Sequence, residues 1–166
     1  MKRYFIIFLA FLFSWLFISC STIKHYTPNA GNFNVDNSVN IPHDSINLIV
    51  NDLRGDNIDQ TKSIIAHIVL SSLNNLQNKF NNENTIITID IIEHRVFFKF
   101  MRWNAETIIK LNISNENSII IEQTINANDS IFNTGGYRSA ERVAQKSFEK
   151  AMNDLIEILN NTFFSE

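Results

Sequence analysis

Four histidines and one cysteine are the residues best suited to chemistry in this chain of 166. His25, His43, His67 and His94 are scattered. No two stand at the spacing that puts two metal ligands on one helix face, as His-Glu-x-x-His does. Glu93-His94-Arg95 is the densest cluster. A histidine beside a carboxylate is the minimal general base, so a hydrolase built around His94 and distant acids is one reading to carry. The plainer reading is an exposed strand or bulge with a local ion pair. Gly135-Gly136 before Ser139 could expose backbone amides near a helix start, where an anion is favoured; a plain turn is the favoured reading of the pair. There is no Gly-x-Ser-x-Gly elbow, phosphate loop or dinucleotide fingerprint. No catalytic, cofactor-binding or metal-ligating residue is assigned, and no cofactor.

Side chains suited to binding are easier to find. Phe97-Phe98-Lys99-Phe100-Met101-Arg102-Trp103 carries apolar residues at positions of both parities. One face of such a strand belongs to a core. The other either presents an apolar patch of the kind that marks partner sites or lies beneath the helices or their connecting loops; on the first reading Phe98, Phe100 and Trp103 are the candidate partner surface. Arg54-Gly55-Asp56 spells a receptor-binding tripeptide, but a turn with solvated Arg and Asp accounts for it. Three Asn-x-Ser/Thr triplets, at Asn112, Asn128 and Asn160, are expected by chance in so asparagine-rich a chain.

The elements that must position these groups follow from periodicity. Ser45 to Leu53 alternates Ile46, Leu48 and Val50 as a first strand, and Gly55 serves as its turn residue. Asp59 to Phe80 carries Ile65, Ile68, Val69, Ser72, Leu76 and Phe80 at helical spacing, with Asp59 or Thr61 as cap. Thr85 to about Arg102 is a long β-branched strand whose length predicts a bulge near Glu93-His94-Arg95. Trp103 to Ser114 and Ser118 to Asn128 alternate about a hairpin-length turn at Asn115-Glu116-Asn117. Asp129 to Tyr137 reads as a loop. Ser139 to about Asn160 reads as a helix with Ala144, Phe148, Ala151, Leu155, Ile158 and Leu159 on its apolar stripe. Strand, helix, three strands, helix predicts an α+β two-layer domain: a mostly antiparallel sheet with helices on one face.

The chain begins with Lys2 and Arg3, then an apolar run from Tyr4 to Ile18 without an acidic residue, then Ser19-Cys20. That is the form of a secretory signal. The run is shorter than the roughly 20 residues a membrane-spanning helix needs. Phe17-Ile18-Ser19-Cys20 resembles the lipobox of bacterial lipoproteins, with Phe17 where Leu is usual. The resemblance implies cleavage before Cys20, lipidation at Cys20 and a membrane held through N-terminal acyl chains. One chain anchors weakly and two or more anchor stably. With Cys20 occupied, disulfides, thiol nucleophiles and thiolate metal sites are excluded. The expected organisation is signal peptide 1–19, lipidated Cys and flexible tether 20–44, and a single α+β domain 45–166. The tether reading rests on recurrent Asn, Ser and Thr with Pro28 and Gly31.

The net charge is −3, and the signal carries basic residues but no acidic ones. An acidic chain without a basic cluster argues against nucleic-acid binding and against a polybasic hold on anionic lipid. The element order also resembles the YajG-type envelope lipoproteins, lipoprotein partners of envelope lipid transporters, and the amino-terminal part of TolB. The similarity to the YajG type lies in Asp52-Leu53-Arg54 closing the first strand, in the helix followed by a meander, and in Ala144, Phe148, Met152 and Leu155 of the last helix. It implies no catalytic residue. The resulting expectation is a non-enzymatic binding or adaptor lipoprotein of the bacterial envelope, contacting another envelope protein, auxiliary to envelope assembly or lipid transport. Ser21 after the Cys resembles outer-membrane sorting, facing the periplasm. The alternative is a module that binds lipid or cell-wall fragments between sheet and helices.

Overall fold

A computed structural model of the protein describes residues 24–29, 33, 46–55, 59–74, 85–115, 118–134 and 136–164. The signal peptide and Cys20 lie outside the described residues. The elements are β1 (Lys24–His25), β2 (Ile46–Asp52), α1 (Asp59–Asn74), β3 (Thr85–Lys99), β4 (Arg102–Ser114), β5 (Ile119–Phe132) and α2 (Tyr137–Phe164). The expected α+β fold is what forms. β3, β4 and β5 make an antiparallel meander, and β2 joins β3 in parallel after the α1 crossover. Both helices share one core with the inner face of the sheet. Among the described residues no helix is long and apolar enough to cross a membrane.

A bulge organises this sheet. In β3, Ile87, Ile89 and Ile91 face the helices; beyond the register shift between Ile91 and Glu93, His94 and Val96 do so. Without the extra residue, Glu93 and Arg95 would be turned into the core, because strand side chains alternate strictly. The bulge lies just ahead of its expected place at Glu93-His94-Arg95 and keeps the ionic side chains on the open face. There Arg95 pairs with Glu93 at 3.0 Å and with Glu106 across the strand at 2.6 Å, while Lys110 pairs with Glu122 at 2.6 Å.

α2 forms because small and apolar residues recur at three- and four-residue spacing. Val143, Ala144, Phe148, Ala151, Met152, Leu155 and Leu159 are all buried. Its first half meets Val96 and Ala105 through Ala140, Val143 and Ala144, a contact of small side chains on both sides. Its second half joins α1 over the larger Ile87, Ile89, Leu111 and Ile113. Burying each of the larger side chains among these contributes roughly 1.5–3 kcal/mol.

Several elements differ from expectation. α1 is described to Asn74, so Leu76 and Phe80 lie outside the described residues. β5 continues past Asn128 through Asp129-Ser130 to Phe132, where a loop was expected from Asp129. It is an edge strand, so these polar residues pair with β4 on one side and reach water on the other. α2 extends to Phe164, and Phe163 packs against the core. Within the expected tether, Lys24–His25 pairs with β3, Pro28 is buried, Asn29 exchanges hydrogen bonds with Gln145 at 3.1 Å, and Phe33 reaches the core.

Candidate functional site

Three groupings of polar or exposed side chains compete for function. The first is a polar line through the core. His94 is 1% exposed, with Nδ1 2.8 Å from Thr107 Oγ1. Thr107 Oγ1 lies 2.9 Å from Ser147 Oγ, which donates to the Ala127 carbonyl at 2.8 Å. A hydroxyl has one proton. Ser147 therefore accepts from Thr107, and Thr107 accepts from His94 Nδ1–H. That order places the imidazole proton on Nδ1. Tyr26 and Phe148 flank the ring at centroid distances of 6.0 and 5.9 Å. Burial and the charge of Glu141 raise the Tyr26 hydroxyl above its ordinary range. The exposed strand expected at Glu93-His94-Arg95 is thus split: the two charged residues form a half-exposed pair and His94 is sealed inside. Through the Thr107 hydroxyl the line ties β3, β4 and α2 together as a structural network.

The second grouping is an ion pair at the start of α1. Asp52 and Arg54 side chains are each 1% exposed and meet at 2.6 Å (Nη2–Oδ2) and 2.9 Å (Nε–Oδ1). Arg54 also donates to Thr61 Oγ1 at 3.1 Å and to the Tyr26 carbonyl at 3.4 Å. The expectation of a solvated Arg54 fails. Gly55 adopts φ +83°, as a turn glycine should, and this folds Arg54 back over β2. Asp56 lies outside the described residues. The guanidinium joins β2, α1 and the segment after β1, which is a fastening role.

The third grouping is exposed and apolar. Lys99 pairs with Arg102, leaving Phe100-Met101 as a two-residue hairpin turn. Both have positive φ, 51° and 59°, the pattern of a type I′ turn that normally takes Asn-Gly. A bulky side chain in that region is a conformational outlier, and such strain costs about 1–3 kcal/mol per residue and clusters at functional sites. Phe100 is 78% exposed and Met101 73%. Phe132 of the neighbouring strand, 56% exposed, lies beneath the Arg102 guanidinium at 4.6 Å. Lys99 Nζ sits 5.3 Å from the Phe100 ring. Asn133 fastens the tip twice: its amide donates to the Met101 carbonyl at 3.1 Å, and its side chain accepts from Trp103 Nε1 at 3.1 Å.

The structure therefore brings together the three residues expected as a partner surface, in different roles. Phe98 and Trp103 are half-buried and stack at 5.1 Å beneath the hairpin; Phe100 is presented. Met101 and Phe132 were missed. The turn has no Gly or Asn to betray it, and Phe132 fell within the expected loop. Among the described residues no group of three or more His, Cys, Asp and Glu could hold a metal. The space between sheet and helices, where the alternative would place a ligand, is filled by Ile65, Val69, Ile89, Leu111, Phe148 and Leu155, each at most 1% exposed.

No family model matches this chain, and no curated protein matches it. Among solved structures, it is similar to the hypothetical protein CT253 of Chlamydia trachomatis at TM-score 0.38 and 10% identity, over 49% of this chain and 55% of that one. The chain thus spans little more than half the length of that protein. A Caulobacter crescentus protein, provisionally described as a lipoprotein, is similar at TM-score 0.35 and 9% identity, over 70% of this chain and 90% of that one. Likenesses this distant carry no argument about function.

Proposed function

We propose that this chain is a lipid-anchored envelope lipoprotein that acts without bond chemistry, as a binding or adaptor component. It has two attachments: a membrane entered by acyl chains on Cys20, and another envelope protein. The β3–β4 hairpin tip makes one of these contacts. The signal form and lipobox support the anchor, and Ser21 favours the outer membrane on its periplasmic side. The YajG-type resemblance favours a role auxiliary to envelope assembly or lipid transport. The observation that carries the docking reading is the Phe100-Met101 turn, where two large apolar side chains are held outward at a conformational cost that packing does not recover.

Two experiments test it. Metabolic acyl labelling should be lost in Cys20→Ala; persistent labelling would place the lipid elsewhere and overturn the anchor. A photocrosslinking residue at position 100 in living cells should give a defined adduct, whether lipid or protein, and one at Ile119, at the opposite end of the sheet, should not. Equal or absent capture at both positions would overturn the docking reading.

A further inference from the structure

The tip has a local charge opposite to that of the whole chain. Phe97 to Asn104 and Ser130 to Ala140 contain Lys99, Arg102 and Arg138 and no acidic residue, in a protein of net charge −3. Away from the tip, Arg54, Arg95 and Lys110 are each paired with a carboxylate. Lys99 and Arg102 have no acidic partner among the described residues. They lie over the rings of Phe100 and Phe132 instead. A ring face positions a cation but leaves its charge unneutralised and available to a phosphate.

Strand direction supplies the second observation. Lys24 pairs with Val96 and His25 with Arg95, antiparallel. β3 runs towards the tip, so β1 runs away from it and its amino-terminal end faces the tip. Cys20 precedes Lys24 by as many residues as separate Val96 from Phe100. So short a piece of chain spans at most about 14 Å. The attachment point of the acyl chains is therefore held within that distance of Lys24, which itself pairs four residues short of the hairpin turn.

We propose that the hairpin tip seats in the headgroup layer of the anionic phospholipid membrane that the Cys20 acyl chains enter, with Phe100 and Met101 in the acyl boundary and Lys99 and Arg102 at the phosphates. This rests on the lipoprotein reading above. Aromatic side chains settle at that depth of a bilayer, and long basic side chains keep their heads in the polar layer while their stems lie in apolar surroundings. The tip sets the orientation of a domain that the acyl chains alone would leave free to tumble. The absence of a polybasic cluster is consistent with this, since the acyl chains carry the affinity.

The test uses the acylated mature protein, taken from membranes and mixed with vesicles of phosphatidylethanolamine and phosphatidylglycerol containing bromine-labelled lipid. Cleavage before Cys20 removes Trp15, so with Trp103 replaced by Phe the single tryptophan of Phe100→Trp should shift to the blue and be quenched; that of Ile119→Trp should not. Replacing Lys99 or Arg102 by Glu, or exchanging phosphatidylglycerol for phosphatidylcholine, should lower the seated fraction, on the order of fivefold in partition per cation removed. Protein that floats with the vesicles while the position-100 reporter stays unquenched would overturn the seated tip and leave the anchor standing; a protein adduct at position 100 in cells would then name the other partner. An unmodified Cys20 by mass spectrometry would overturn the anchor. Quenching at high lipid would in that case decide the tip alone, with equal signals at 100 and 119 overturning it.

Discussion

Arg54 is the residue whose loss should be felt most widely. Its charge is buried against Asp52 and its remaining donors reach Thr61 and the Tyr26 carbonyl. Arg54→Ala leaves the Asp52 carboxylate buried without its counter-charge, which should cost about 3–5 kcal/mol of stability in urea unfolding. Burial alone would push the Asp52 carboxyl up, but the Arg54 hydrogen bonds and charge outweigh it and hold the group below its ordinary 3.8. A carboxyl depressed in the folded state stabilises at pH above its unfolded value and loses that contribution as pH falls through and below about 3.8. Thermal melts between pH 6 and pH 3 should show this loss, and Asp52→Asn should flatten its share of it. In the core line, Thr107→Val keeps the shape but leaves His94 Nδ1–H and Ser147 Oγ short of a partner. The expected cost is about 1–3 kcal/mol, with an unchanged denaturant slope. Neither residue's role was visible in the chain: Arg54 stands beside a glycine in a polar run, and His94 takes its burial from a bulge two residues upstream.

At the scale of elements, the hairpin should trade stability against docking. Phe100→Asn with Met101→Gly supplies the residues a type I′ turn prefers. It should raise stability by about 1–3 kcal/mol through relief of backbone strain, while the adduct captured by a crosslinking residue at the neighbouring exposed Phe132 is lost. A loss of stability in that variant would mean the two side chains pack on something, and the strain argument would fail. The elements were legible in the sequence wherever period and composition agreed. α2 and the paired alternation of β4 with β5 follow from spacing alone. The end of β3 did not, because a turn built from Phe-Met carries none of the usual turn chemistry. The last residues of β5 did not, because an edge strand tolerates the Asn, Asp and Ser that mark a loop elsewhere. A two-residue β1 has too little pattern to be read at all; it exists only because the exposed edge of β3 beyond β2 accepts it.

At the scale of the whole molecule, β2 and β1 divide one edge of β3 between them, β2 along its first half and β1 along its second. The ion pair, the core line and the aromatic stack then lie in succession towards the hairpin. Fold class and the position of the helices could be read from element order, whereas the gathering of basic and exposed apolar side chains at one end could not. Lys99, Arg102 and Phe132 lie far apart in the chain or on different strands, and only the registers bring them together. Phe148→Ala should destabilise this frame by about 3–5 kcal/mol, measured by urea unfolding. The vesicle contact of molecules still folded should be unchanged, because Phe148 lies in the core and not at the tip.

The brief pairing of Lys24–His25 with Val96 and Arg95 also works as a latch. It rests on two residue pairs, the Asn29–Gln145 exchange, the Arg54 bond to the Tyr26 carbonyl, and the seats of Tyr26, Pro28 and Phe33. Tension applied at the amino-terminal end of β1 would strip these before it disturbed the meander, whose three strands pair over far longer registers. The molecule would thus yield to force in two steps, the first of them leaving its core intact.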